Sequence, residues 1–157
     1  MESYSTFMEP KPVYGKRMRE QMSPQGELDK ELCDACYDGD IAEVKKLLDK
    51  GASAKARHPG GWTALHSAAG HGIMEMVKLL VEDGADLNAK NFVNETALHC
   101  ACYAGAEDVA LYLVEMGANP KVKCNSGKDC IVYAMENGYL TLAADMLAEF
   151  LSMTDVD

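Results

Sequence analysis

The chain has 157 residues, 48% of them hydrophobic and 25% charged, with a formal net charge of −10 at pH 7. That length and apolar content predict one domain around one continuous core. Charge interrupts every apolar stretch and no basic start precedes an apolar run, so neither a membrane span nor a signal peptide is expected; the acidic excess argues against nucleic acid and anionic lipid and favours a partner with a basic surface.

Residues 1–26 carry Pro10, Pro12 and Pro24 and no helical apolar period, and they are expected to form a disordered N-terminal tail. Tyr4, Phe7, Val13 and Tyr14 would serve as apolar anchors there if the tail folded onto a partner, and Ser23-Pro24 is a candidate proline-directed phosphorylation site. The tail holds four basic and three acidic side chains, so the acidic excess belongs to the remainder. The folded domain is expected over residues 27–151, with 152–157 as a C-terminal tail.

Within that domain a spacing of 33 residues recurs. Gly39, Gly72, Gly105 and Gly138 form one ladder, and Gly51, Gly84 and Gly117 a second. The spacing predicts units 29–61, 62–94, 95–127 and 128–150, each a helix, a tight turn, a second helix and an extended loop. Thr63 is placed to cap the first helix of the second unit, and Asp129 occupies its place in the last. The second helix of that unit is predicted from Ile73 to Asp83, burying Met76, Val77, Leu80 and Val81, with Gly84 ending it. Three columns predict how the units stack: Leu32, Leu65, Leu98 and Ile131; Leu47, Leu80, Leu113 and Met146; and Ala35, Ala68, Ala101 and Ala134. The last unit carries Leu140, Leu142, Ala143, Met146, Leu147, Phe150 and Leu151, more than one apolar stripe. Either the final residues fold back over it, which the sequence slightly favours, or it meets a partner or a second copy.

The candidate chemistry is thin. His58 and His71 have no acid or nucleophile at a spacing that suggests a triad. Cys33 and Cys36 have the spacing of a redox pair, but no strand-forming run precedes them, and His99-Cys100-Ala101-Cys102 lies two repeats away, too far to close one metal tetrahedron. No metal and no cofactor are expected. Six cysteines in a chain without a secretion signal point to reduced thiols in cytosol or nucleus, most of them core residues, and the sequon Asn94-Glu95-Thr96 is expected to stay unmodified.

Thr63-Ala64-Leu65-His66 returns as Thr96-Ala97-Leu98-His99, and Gly84-Ala85-Asp86 as Gly117-Ala118-Asn119. With both glycine ladders, these motifs resemble the ankyrin repeat over about residues 29–150, although alanine replaces the family's usual proline in both. The resemblance implies an all-α ankyrin-repeat solenoid of about four helix-turn-helix units with hairpin-like loops. It implies that Thr63, His66, Thr96 and His99 hold the fold, each histidine tying a helix start to the neighbouring loop. Asn88 resembles the asparagine context that is hydroxylated in animal members, beside a structural role in its loop. Partner binding is implied at the loop tips and along the first helices, in one concave groove: Trp62, Phe92 and Val93 at the tips, Tyr37 and Tyr103 flanking Gly70, and Glu95, Asp38 and Asp40 as an acidic rim. For Trp62 a second role is equally open, lying flat over Pro59 to protect the hairpin. The expected function is a non-catalytic, monomeric protein-binding module acting as adaptor or masking inhibitor. The alternatives are a subunit or assembly chaperone docking through the apolar C-terminal helix, with self-association through the same helix, and an enzyme using Cys33 or Cys36.

Overall fold

The computed structural model describes residues 16–58 and 60–153; Tyr4, Phe7, Val13, Tyr14 and Pro59 lie outside them. A short helix, α1 (Lys16–Glu20), precedes four helix pairs. These are α2 (Pro24–Asp38) with α3 (Ile41–Asp49), α4 (Ala64–His71) with α5 (Met74–Glu82), α6 (Ala97–Ala104) with α7 (Glu107–Glu115), and α8 (Cys130–Glu136) with α9 (Leu140–Ser152). The described residues contain no strand, only a single bridge between Arg57 and Thr63.

Local chemistry fixes each helix start. The Thr63 side chain accepts the His66 N–H while His66 Nδ1 accepts the Thr63 N–H at 3.1 Å, a reciprocal cap in which histidine replaces the usual glutamate. Thr96 and His99 repeat it, and Asp129 caps α8 by accepting the Val132 N–H at 3.0 Å. The helices α2, α4 and α6 end at Gly39, Gly72 and Gly105 in the left-handed conformation. At Gly105 space matters as well as φ, because an added Cβ would stand 2.5 Å from the Tyr139 ring of the next unit.

The first unit starts earlier than its spacing predicts. Ser23 caps α2 by accepting the Gly26 N–H at 3.1 Å, and Pro24 occupies the first turn, where a missing N–H costs nothing. The helix therefore runs for 15 residues against 8 in α4, straight through Lys30, the residue in register with Thr63. Asp29 accepts the Ser53 N–H at 2.7 Å and ties this extension to the first loop. Residues 23–26, expected in the tail, belong to the stack, and Lys16–Glu20 is helical.

The core follows the columns. Leu47, Leu80, Leu113 and Met146 are fully buried, as are Leu32, Leu65 and Leu98, each contributing about 2–3 kcal/mol relative to exposure. The alanine column is buried throughout and lets α2, α4, α6 and α8 pack side by side. Ile131 is half-buried, and Val81, expected in the core, is half-buried too. All six cysteines are buried free thiols. The last helix, α9, continues to Ser152 and leaves Leu140, Leu147 and Leu151 exposed; the fold-back expected of the final residues falls on 154–157, which lie outside the described residues. Phe150 stands where the earlier units have Gly51, Gly84 and Gly117, so no left-handed residue stops the helix there.

Candidate protein-binding surface

The loops are three equivalent hairpins. His58, Asn91 and Cys124 each donate a backbone N–H to the carbonyl four residues on, at Trp62 (2.7 Å), Glu95 (3.0 Å) and Lys128 (3.0 Å). Each turn closes through a left-handed residue, Gly61, Asn94 or Gly127, at φ 82°, 62° and 77°. Asparagine tolerates that conformation better than most residues, and the Asn94 amide also donates to Asn125 Oδ1 at 2.6 Å.

Neighbouring hairpins bind one another edge to edge. The Phe92 N–H donates to the Gly60 carbonyl at 3.0 Å, and the Asn125 N–H to the Val93 carbonyl at 2.9 Å. Arg57 bridges two hairpins by donating to the carbonyls of Gly61 (3.0 Å) and Lys90 (2.8 Å). Below them His66 Nε2 donates to the Glu95 carbonyl at 2.9 Å and His99 Nε2 to that of Lys128 at 3.1 Å, the tautomer set by Nδ1 accepting a backbone N–H. This is the tie that the resemblance implied. Burial holds His66 neutral, its pKa pushed down to about 4, and lowers that of His99 in the same direction.

On this fixed frame Phe92 is 79% exposed and Val93 47%. The Phe92 ring rests on Gly61, where an added Cβ would come within 2.9 Å of it. Tyr37 and Tyr103 are half-buried at equivalent positions, with Gly70 buried between them. The Tyr37 carbonyl accepts from His71 Nε2 at 2.6 Å, and the Tyr103 ring meets that of Tyr133 edge-on at 6.2 Å. Asp38 and Asp40 are exposed and, with Glu31, Asp34 and Glu43, line a cavity of about 230 Å³ at the first end of the stack. Asp40 also caps α3 by accepting the Glu43 N–H at 3.0 Å.

Two expected contact residues lie inside. Trp62 is 8% exposed, its ring edge-on to His66 at 5.4 Å, because the returning arm of the hairpin turns it inward. Glu95, in the equivalent position one repeat on, is also 8% exposed. Its carboxylate accepts from the Tyr133 hydroxyl at 2.6 Å and the Asn91 amide at 3.0 Å, so it joins hairpin to α8 and is no rim. Asn91, which the sequence reading passed over, is the centre of that turn: its Oδ1 accepts the N–H groups of Val93 (3.0 Å) and Glu95 (2.9 Å). The signal was present, since asparagine bonding to the backbone two residues on is a known turn former.

Of the candidate modification sites, Asn88 is exposed with its Oδ1 accepting the Asn119 N–H at 2.8 Å, and Ser23 is the α2 cap. The cysteine pair has lost the property a nucleophile needs. Burial, first, and the Asp34 carboxylate push Cys33 up to about 12, and burial raises Cys36 further. Among the described residues no three His, Cys, Asp or Glu side chains gather to hold a metal ion, and no helix is long and apolar enough to cross a membrane.

The model for ankyrin repeats, in three copies, matches residues 32–124, and no curated protein matches the chain. The fourth pair, α8 with α9, lies beyond the matched span yet keeps the helix-turn-helix geometry. Repeats of this kind generally mediate contacts between proteins. With the reciprocal threonine–histidine caps, the glycine-ended helices and this match over more than half its length, the chain belongs to the ankyrin-repeat family.

Proposed function

We propose that this chain is a non-catalytic protein-binding module that receives a partner across its hairpin tips and first helices, acting as an adaptor or by masking the partner's surface. The observation that carries the reading is Phe92, 79% exposed on a turn whose backbone is bonded to the hairpins on both sides. A large aromatic held rigidly in solvent loses little entropy on binding, and such residues dominate interface energetics. Val93 extends the contact, and Tyr37 and Tyr103 continue it along the first helices. Asp38 and Asp40 favour a partner with a basic surface. A cytosolic or nuclear setting belongs to the same proposal, supported by six cysteines that are free thiols.

The test is affinity capture with wild type and a Phe92→Ser, Val93→Ser double variant whose melting shows it folded. Trp62 is unsuitable as a probe, because truncating it opens the core. Proteins held by wild type and lost from the variant support the tips as the contact; equal capture by both overturns it. A second reading, a subunit or assembly chaperone docking through the C-terminal helix, is favoured by the exposure of Leu140 and Leu147.

A further inference from the structure

The three hairpins reverse the charge of the rest of the chain. Residues 55–62, 88–95 and 121–128 stand in register, and together they hold six of the chain's 15 lysines and arginines but one of its 25 carboxylates. That carboxylate is Glu95, buried and bonded to Tyr133 and Asn91. One column is basic in every hairpin: Arg57, Lys90 and Lys123, 33 residues apart and all exposed. Hydrogen bonds between hairpins fix this column in a line. Arg57 Nη1 donates to the Lys90 carbonyl at 2.8 Å, and the Asn125 N–H, two residues past Lys123, donates to the Val93 carbonyl, three past Lys90, at 2.9 Å. Elsewhere in the hairpins Lys128 is paired with Glu136 at 2.8 Å and Lys121 lies over the Phe150 ring at 4.9 Å. Among the described residues no carboxylate forms a salt bridge with Arg57, Lys90 or Lys123. The apolar tip lies beside the line: Phe92 rests on Gly61, whose carbonyl accepts from Arg57 at 3.0 Å, and Val93 is bonded to the third hairpin.

We propose that the hairpin tips receive an acidic segment of a partner protein, with an apolar side chain packed on Phe92 and Val93 and carboxylates on either side of it paired with Arg57, Lys90 and Lys123. The proposal rests on the tip reading and adds the partner's chemistry there, which is the opposite of what net charge alone implies: acidic where it crosses the hairpins, basic only toward Asp38 and Asp40. Charge complementarity selects the occupant. Like charges held in a line on one bonded backbone repel one another, and carboxylates set among them relieve that repulsion, whereas a basic segment would add to it. Nucleic acid has the right sign, but a polyanion with one charge per about 1.7 Å of helix axis would also meet the negative field of the rest of the chain. A protein segment brings its few carboxylates only where the hairpins are basic.

The test is selection of a random displayed-peptide library on the full wild-type chain, followed by fluorescence anisotropy with the enriched peptides made synthetically. Enriched peptides are expected to carry Asp or Glu flanking an apolar residue, to bind more weakly as salt rises, and to lose at least about tenfold in affinity when their carboxylates are replaced by amides. Lys90→Glu combined with Lys123→Glu should also cost at least about tenfold. Melting should stay unchanged, because both side chains are exposed and the Lys90 carbonyl that Arg57 uses is backbone. Lys50→Glu, the same reversal of charge outside the hairpins, should cost less than about twofold. Peptides that are lost on Phe92→Ser but keep their affinity as amides overturn this proposal and leave the tip reading standing. Acidic peptides that are lost on the double lysine change but indifferent to Phe92→Ser overturn the tip reading and this proposal with it. Enrichment of neutral or basic peptides, no enrichment at all, or a single-stranded oligonucleotide bound as tightly as the best peptide overturns the proposal as well.

Discussion

The two ends of this stack solve the same problem in opposite ways. At the first end the inner helix is lengthened to 15 residues and carries Glu31 and Asp34 where interior units have buried alanine, serine or cysteine, and Asp40 and Glu43 lie beside them. At the last end the outer helix is lengthened, to 13 residues against 9 in α3, α5 and α7, and it carries Phe150 and Leu151 past the point where the others stop. Being terminal thus does not dictate a polar face. A terminal unit becomes a solvent cap only where its departures from the repeat are polar, and here the first end departs with carboxylates while the last departs with Phe150 and a longer helix.

The sharpest break of that contrast places the same substitution at two positions in one register. Cys102→Glu puts a carboxylate into a fully buried seam between the third and fourth units, and is expected to cost about 4 kcal/mol or more in urea unfolding. Met135→Glu, 33 residues on, should change stability by no more than about 0.5 kcal/mol at concentrations where the chain is single. Equal costs would mean that the last face is covered within the chain itself.

Acid separates interior from end more gently. His66 stays neutral in the fold down to about pH 4, whereas the unfolded chain takes up the proton near the ordinary histidine value of about 6.5. The unfolded state therefore binds more protons between those limits, and the stabilisation is complete above about pH 6.5 and is lost as pH falls toward 4. Between pH 7.5 and 5, before most carboxylates titrate, His66 alone should account for a loss of about 2 kcal/mol, with His99 adding in the same direction. The terminal units have Cys33 and Val132 in this register, so acid-induced loss of amide protection should begin in α4 and α6. Loss beginning in α2 or α9 would place the linkage elsewhere.

Period made the middle of the molecule readable. Where Thr63, His66, Thr96 and His99 recur with both glycine ladders, local cap, turn and stacking requirements agree, and each helix is specified by its own residues. Reading failed where one position serves two demands. Trp62 and Glu95 occupy the step between hairpin and cap; their residue types suggested a surface, and only the inward turn of the returning arm shows that both are core. Phe92 was legible because no cap or turn requires an aromatic at a hairpin tip. The first boundary is misplaced in the sequence because Pro24 reads as a breaker, although after a serine it equally marks a helix start. Phe150 in the ladder position did announce that α9 would not stop, but not which of its faces would remain open.

The same boundary provides the smallest test of the contrast between ends. Neither terminal unit has the threonine–histidine box, and each relies on one side chain, Ser23 for α2 and Asp129 for α8. Ser23→Ala and Asp129→Ala should each cost about 1 kcal/mol, and Ser23→Asp should restore most of the first. Hydrogen exchange would localise the losses, to the opening turns of α2 for Ser23 and to α8 for Asp129. If Ser23→Ala left protection in α2 intact, the extension would carry no weight and the first unit would begin near Lys30, as the period alone implies. If it loosened α2 together with the Ser53 amide bonded to Asp29, then residues 23–29 are what closes the first end, and the two ends differ in how they are terminated as well as in polarity.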